Sequence, residues 1–212
     1  MDILAAAESY IKDLCAADAS GHDHFHALRV SRTAAALAEA EGADVQICAL
    51  AALLHDADDK KLFPETHGAQ AHTVAFLRGQ GMEAPEIERI THIIEQVSFK
   101  GTDSVTPDSL EGKCVQDADR LDAIGAIGIA RTFAYGGSRG RKLHDPAEAP
   151  LMDMDEQTFH AHVSTTVNHF YEKLFRLSAL LNTDAARRLA AHRDAVMREF
   201  LAEFYAEWNG EK

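Results

Sequence analysis

Three short segments of the chain contain histidines and aspartates at spacings that suit a divalent metal ion. The first is DHFHALRV at 23–30, where His26 lies on the helical face that meets the core. The second is the step His55-Asp56, and the third is QDADRLDA at 116–123. Imidazole nitrogens and carboxylate oxygens together bind divalent transition metals and leave positions open for water. These segments therefore predict a metal centre that can activate water.

Each segment also has a simpler structural interpretation. A lone His-Asp step is more often an exposed helix end, but this one follows the uniformly apolar run 49–54. Carboxylates on an apolar helix are costly to bury unless they are paired or bound to metal. This cost applies to Asp117, Asp119 and Asp122, and spacing alone leaves open which of them reaches a cation. His22 and His24 are interpreted as solvated residues at a helix start.

The elements that must position these residues are predicted to be helices. Apolar residues recur at helical spacing along most of the chain, and no segment has the alternation typical of a strand. The fold class is therefore predicted to be all-α, a single helical-bundle domain over 1–212 with additional C-terminal helices. We predict helices at about 2–17, 23–41, 45–56, 69–78, 85–97, 110–135, 155–181 and 183–208.

One segment differs in composition from its surroundings. Residues 136–155 contain three glycines, two prolines and three basic residues, and such long loops tend to be functional or disordered. We interpret this loop as a possible lid over phosphate groups, with a flexible solvated insertion as the alternative. It separates a metal-site core at about 21–135 from C-terminal helices at about 155–208.

Charge and composition narrow the classes of partner. The formal net charge of -13 disfavours nucleic-acid binding, although a bound cation can still attract a small anion. No run of 18 apolar residues predicts a membrane span, and Met1 to Leu14 lacks the features of a signal peptide. Three widely spaced cysteines suit a reducing compartment, so a cytoplasmic protein is expected.

The three segments, taken in order, resemble the HD-domain superfamily of metal-dependent phosphohydrolases. The matching features are DxxHxxRV, then HDADD at 55–59, then DADRLDAIGAIGIAR at 117–131. The resemblance covers about 21–135 and is strongest to a bacterial subgroup similar to nucleotide pyrophosphohydrolases. It implies that the metal ligands are His26, His55, Asp56 and Asp119. The ion is expected to be Mn, Ni, Co, Fe, Zn or Mg.

The resemblance also suggests which residues act on the substrate. An acidic residue after the HD step assists the water or the leaving group, so Asp59 or Asp58 is expected to be catalytic, together with Lys60. Phosphoryl transfer further requires cations that neutralise charge on the phosphate oxygens. The substrate-binding candidates are Arg29, Lys61, Arg120, Arg131, Arg139, Arg141, Lys142 and His92. Binuclear relatives use extra histidines between the HD step and the last aspartate, so His92 and His72 are also candidates for contact with a metal.

Three functions fit this pattern. The first is hydrolysis of a nucleotide, for example of a (deoxy)nucleoside triphosphate to a monophosphate and pyrophosphate. The second is a cyclic-nucleotide phosphodiesterase, and the third is a non-catalytic module that binds metal or nucleotide. The expected partner is a small phosphorylated molecule such as a nucleotide, and neither stable nucleic-acid binding nor membrane association is expected. The chain is expected to be a monomer or a homodimer.

Overall fold

The computed structural model describes residues 2–15, 24–60 and 62–212. All regular elements in these ranges are helical, which confirms the predicted all-α class. The chain forms two compact units, one of residues 1–100 and 104–119 and the other of residues 101–103 and 120–212. The prediction of a single domain over the whole chain therefore stays a prediction.

The first unit is built around one apolar helix. Eight of the ten residues of α3 are buried, because a helix that is apolar on every face must be enclosed by others. Asp44 caps α3 by accepting a hydrogen bond from the Ile47 amide at 3.1 Å. Helices α1, α2 and α6 pack against α3. The helices of this unit are α1 (Ile3–Leu14), α2 (His24–Glu41), α3 (Val45–Leu54), α4 (Pro64–His67), α5 (Ala71–Gly79), α6 (Ala84–Glu95) and most of α7 (Leu110–Asp122).

The second unit begins within α7 and contains the remaining helices. Its helices are α8 (Gly125–Ser138), α9 (Glu156–Ala161), α10 (Phe175–Ala179) and α11 (Asp184–Trp208), with a 3₁₀ turn at Gly101–Asp103 and a π-helical turn at Phe170–Leu174. Helices α8 and α11 pack together. Phe133, Phe170 and Phe200 form an aromatic cluster there, with ring centroids 5.6–6.1 Å apart.

The stretch 110–135, expected to be largely helical, is two helices joined by a tight corner. Gly125 has a φ of +75°, which favours glycine, and a Cβ there would lie 2.9 Å from Arg193 Cγ. A Cβ at Gly128 would collide with the Ala123 carbonyl oxygen. Gly125 and Gly128 are therefore the residues in the sequence that indicate a turn between the two helices.

The helix predicted at 155–181 is interrupted at residues 162–167. There the backbone pairs with the loop that follows α8: the Thr166 amide donates to the Lys142 carbonyl and the Val167 amide to the Leu143 carbonyl, at 2.9 and 3.0 Å. Ser164, Thr165 and Thr166 favour this local structure, because short hydroxyl side chains compete with helical hydrogen bonds. Val163, which the helical pattern placed in the core, is 74% exposed.

Candidate metal centre

His26 is held in the buried face of α2. Val30 and Leu37 lie on the same face, and all three residues are almost completely inaccessible to solvent. An imidazole in such a position needs polar partners, because burying an unsatisfied nitrogen is costly. Those partners come from two other segments of the first unit.

His55 and Asp56 follow the end of α3, where the chain leaves the apolar core. His55 Nδ1 lies 2.8 Å from the Ala52 carbonyl oxygen, so this nitrogen carries the proton and donates it. In the neutral ring this hydrogen bond leaves the other nitrogen, Nε2, unprotonated and able to bind a cation. Asp56 accepts a turn hydrogen bond from the Asp59 amide at its main-chain oxygen, which orders the chain just after the step.

Four side chains converge at this point. His26 Nε2 lies 3.4 Å from Asp56 Oδ2 and 3.5 Å from Asp119 Oδ1. His55 Nε2 lies 3.3 Å from Asp56 Oδ1 and 3.7 Å from the same Asp119 oxygen. Of the segment's three carboxylates, Asp119 is thus brought to the histidines, as the resemblance implied, while Asp122 pairs with Arg131 at 2.7 Å.

These distances fit a metal centre. Ligands at about 2.0–2.2 Å from an ion lie about 2.8–3.6 Å from their neighbours in tetrahedral or octahedral arrangements. His26, His55 and Asp56 offer ligand atoms that all lie within 4.8 Å of one another. The histidine side chains are 2% and 4% exposed, whereas those of Asp56 and Asp119 are 15% and 26% exposed. Solvent therefore reaches the cluster from the side of the carboxylates, where water or substrate can bind.

The two acidic candidates after the HD step have different surroundings. Asp58 is 5% exposed, and its carboxylate accepts hydrogen bonds from the amides of His72 and Thr73 and from the Thr73 hydroxyl, at 2.9–3.0 Å. It therefore acts as a cap for the first turn of α5, a role that sequence reasoning did not assign. Asp59 is half-buried and lies three residues after Asp56, within the ordered turn.

The remaining predicted residues of the first unit surround these elements. Arg29 is half-buried on α2, three residues after His26 and thus on the same side of the helix. Lys60 is exposed, and Lys61 lies outside the described residues. His92 is half-exposed and pairs with Asp108 at 2.8 Å; this hydrogen bond raises the pKa of His92. His72 Nδ1 lies 3.1 Å from the Ala57 carbonyl oxygen.

The basic candidates of the second unit have partners within that unit. Arg120 is buried and donates to the Leu180 carbonyl oxygen, and Arg131 pairs with Asp122. Arg139 and Arg141 both lie over the ring of Tyr135, at 5.4 and 5.3 Å from its centroid. Lys142 pairs with Asp145 at 2.7 Å. Contact of these five residues with a substrate stays a prediction.

Comparison with known proteins identifies the family. The HD domain family model matches residues 24–124, a range that includes all four converging side chains. An HD-superfamily hydrolase of Bacillus thuringiensis has a crystal structure that superimposes with a TM-score of 0.74 at 39% identity, over 97% of this chain and 96% of that one. The chain belongs to the HD superfamily. It is therefore a hydrolase of that superfamily, as the motifs predicted.

Two further relatives of this HD-superfamily chain are similar along almost their whole length. YpgQ of Bacillus subtilis, an uncharacterised protein, is 40% identical over 200 residues, covering 92% of this chain and 88% of YpgQ. A structure of YpgQ in complex with ADP superimposes with a TM-score of 0.75 at 33% identity, over 96% and 97% of the two chains. A Lactobacillus plantarum protein superimposes with a TM-score of 0.87 at 45% identity, over 98% and 97%.

No described helix of this HD-superfamily chain combines the length and the apolar character that crossing a bilayer requires.

Proposed function

We propose that this HD-superfamily protein is a divalent-metal-dependent phosphohydrolase that acts on nucleotides. The observation that carries the proposal is the convergence of two imidazole nitrogens and two carboxylates, with nitrogen-to-oxygen distances of 3.3–3.7 Å, in a cluster accessible from one side. An ion pair that only stabilises the fold needs two side chains, not four groups around one point. An open position on a metal is what a catalytic centre requires.

The nucleotide assignment draws on a relative. YpgQ has been crystallised with ADP, and this chain aligns with that structure over nearly its whole length. We infer that the substrate here is also a nucleotide. The reaction we propose is attack of water on the α phosphorus of a nucleoside triphosphate, which yields a nucleoside monophosphate and pyrophosphate.

We propose the following roles for the residues of the site. His26, His55, Asp56 and Asp119 would hold a divalent ion, which when bound supplies Lewis acidity and lowers the pKa of water. Asp59 is proposed to accept a proton from the attacking water, because it is half-buried in the turn after Asp56. Arg29 and Lys60 are proposed to neutralise charge on the phosphate oxygens.

The composition of the site leaves several metals as candidates. Two imidazoles and two carboxylates suit Mn, Fe, Co, Ni or Zn, and a harder ion such as Mg is the least favoured by the nitrogen ligands. We propose manganese as the first metal to test. Activity measured with each metal after removal of bound ions by a chelator identifies which of them supports turnover.

The reaction is tested by isotope labelling. The protein is incubated with manganese and a nucleoside triphosphate in H₂¹⁸O, and the products are analysed by ³¹P NMR. Attack at the α phosphorus places ¹⁸O in the monophosphate, whereas attack at the β phosphorus places it in pyrophosphate. Release of inorganic phosphate alone contradicts the proposed bond, and hydrolysis only of cyclic nucleotides contradicts the substrate class.

A matched pair of variants shows whether the activity belongs to the cluster. Asp119→Asn removes a proposed ligand charge, and Asp108→Asn makes the same change at an exposed carboxylate that pairs with His92. We expect the first variant to lose turnover and the second to retain it. Absence of turnover by the wild type with every metal in the series contradicts an enzyme role for the site.

A further inference from the structure

A small cavity lies in the second unit, beside the segment that interrupts the predicted C-terminal helix. Its volume is about 180 Å³, and its lining includes Gly140, Arg141, Lys142, Glu148, Ser164 and Thr165. No residue of the proposed metal centre lines it.

The walls of the cavity are fixed by hydrogen bonds. The Thr166 amide donates to the Lys142 carbonyl, and the Arg141 amide donates to the Gly136 carbonyl, both at 2.9 Å. The Asn168 side chain donates to the Glu148 carbonyl at 2.8 Å. These contacts tie the loop after α8 to residues 163–168, so the lining residues are held in place without a ligand.

One lining residue has an unsatisfied polar group. Ser164 is only 5% exposed, and its hydroxyl is inaccessible to solvent and has no hydrogen-bond partner. Buried hydroxyls in proteins are nearly always hydrogen-bonded, because leaving one unpaired is costly. Because this hydroxyl is closed off from solvent, a ligand in the cavity can supply the missing partner only after the Ser164 side chain turns to another staggered rotamer.

The charges of the lining favour an oxyanion. Arg141, which lies over the Tyr135 ring, and Lys142, which is paired with Asp145 at 2.7 Å, place two cations in the lining. Ser164 and Thr165 add two hydroxyls, and such groups are common donors to phosphate oxygens. Gly140 has a φ of +64°, and space is open where its side chain would be. The one acidic side chain in the lining, Glu148, can accept a hydrogen bond from an oxyanion that carries a proton.

The size of the cavity limits the ligand. A volume of about 180 Å³ corresponds to about six water molecules at about 30 Å³ each. Cavities that enclose drug-sized ligands measure about 300–1,000 Å³. The cavity is half open to solvent, and its volume is large enough for a phosphate group, while the rest of a larger molecule would extend into solvent.

We propose that this cavity binds a phosphate group, with Arg141 and Ser164 as its principal ligands. The choice of phosphate over other oxyanions rests on the proposed phosphohydrolase function, and it is supported by Glu148, because phosphate near neutral pH still carries a proton that sulfate lacks. The group belongs either to free inorganic phosphate or to the end of a phosphorylated molecule.

Calorimetric titration with inorganic phosphate tests the site. The protein is kept in a chelator, so that phosphate cannot bind through a metal ion at the proposed centre. Arg141→Gln is expected to weaken binding at least tenfold, and Ser164→Ala several-fold. The matched control is Arg139→Gln, since Arg139 also lies over Tyr135 but does not line the cavity. The affinity of this variant for phosphate is expected to differ from that of the wild type by less than twofold.

Thermal unfolding of the same variants shows whether a loss of phosphate binding results from a loss of stability. Ser164→Ala removes a hydroxyl that has no partner, so its midpoint is expected to match or exceed that of the wild type without phosphate. Absence of phosphate binding by the wild type overturns the proposal. Equal losses in the Arg139 and Arg141 variants, or sulfate binding as tight as phosphate binding, also overturn it.

A parallel titration with a non-hydrolysable nucleoside triphosphate distinguishes the two sources of phosphate. Dependence on Arg141 for both inorganic phosphate and the nucleotide assigns the cavity to the phosphate end of a nucleotide. Dependence on Arg141 for inorganic phosphate alone assigns it to the free ion, and dependence for neither overturns the proposal. Because both titrations omit divalent metal, their outcome is separate from that of the labelling experiment on the proposed hydrolysis.

Discussion

His55 and Asp56 are neighbours in the chain, but they are held in different ways. His55 is fixed by a hydrogen bond to the main chain of its own helix, and its side chain is 4% exposed. Asp56 is more accessible and faces both histidines with its two oxygens, at 3.4 and 3.3 Å. The Asp119 carboxylate lies near the same two nitrogens, so two negative charges share this cluster, and a bound cation would offset their repulsion.

The first prediction concerns Asp119. Asp119→Asn removes one negative charge from the cluster, and we expect its affinity for manganese to fall more than about 100-fold, since losses outside the direct ligands already cost about 10- to 100-fold. Calorimetric titration of metal into the chelator-treated protein measures the change. Asp108→Asn is the control, and an unchanged affinity for Asp119→Asn contradicts its role as a ligand.

The second prediction separates Asp58 from Asp59. Asp58→Asn weakens three hydrogen bonds to the first turn of α5, so we expect it to lower the free energy of unfolding by about 1–3 kcal/mol. Asp59→Asn is expected to leave the unfolding midpoint nearly unchanged and to lower kcat. Urea unfolding and steady-state kinetics on both variants provide the comparison. A stability loss in the Asp59 variant without an effect on kcat assigns that residue a structural role.

The helices of the first unit are joined near the start of α3 by a small polar junction. Glu111 on α7 accepts a hydrogen bond from the Asp44 amide at 3.2 Å and pairs with Arg89 on α6 at 3.1 Å. Burial alone would raise the pKa of Glu111, but the backbone hydrogen bonds and the Arg89 charge outweigh it and lower this pKa. The junction therefore fixes α7, the helix that carries Asp119, relative to α3, which precedes the His-Asp step.

The third prediction follows from the lowered pKa of Glu111. A carboxyl with a lowered pKa contributes stability above its unfolded pKa, and this contribution is lost as the pH falls through the folded value. We expect Glu111→Gln to be less stable than the wild type by about 1 kcal/mol at pH 7. The difference should shrink below about pH 4.5, near the usual glutamate pKa. Unfolding curves at several pH values measure it, with Glu88→Gln on α6 as an exposed control.

The helices were predictable where the sequence periodicity and the packing agree. The apolar run before His55 predicted a buried central helix, and α3 is one. The interruption at 162–167 was not predicted, because Phe159, Phe170 and Leu174 keep helical spacing on both sides of it. The backbone of that segment instead bonds to Lys142 and Leu143, about twenty residues earlier, and periodicity carries no information about such a partner.

The sequence predicted which residues form the site better than it predicted the role of each residue. The three segments named His26, His55, Asp56 and Asp119, and the fold brings these side chains together. Asp58 and Asp59 could not be separated by sequence, because the role of Asp58 arises from the start of α5, whose amides donate to its carboxylate. The unpaired hydroxyl of Ser164 likewise depends on tertiary structure.

At the scale of the molecule, most of the chemistry-bearing residues lie in one of the two units. All four proposed ligands belong to the unit of residues 1–100 and 104–119, in which the three cysteines are buried and not linked by disulfides. The net charge of -13 makes this proposed cation-binding cluster part of a strongly acidic protein. A divalent ion is therefore attracted by the surface as a whole as well as by its ligands.

The fourth prediction is that metal binding stabilises the protein. An ion that binds only the folded state adds about 2.7 kcal/mol at a free concentration 100 times its Kd. For a chain of this size, that corresponds to a rise in Tm of about 5–11 °C. Thermal unfolding with and without manganese measures the shift. The same additions should barely affect Asp119→Asn, and an equal shift in both proteins places the bound ion elsewhere.

The hydrogen bond from His55 to the Ala52 carbonyl has a consequence for how the site tolerates mutation. The acceptor is a peptide oxygen, so the imidazole proton is held by a group that every amino acid at position 52 would supply. Replacement of Ala52 can disturb the packing of the helix, but it cannot change the tautomer of the neighbouring ring while the helix remains intact. Substitutions at position 52 are thus limited by the size, polarity and helix propensity of the new side chain, and the helical backbone sets the tautomer of the neutral His55 ring.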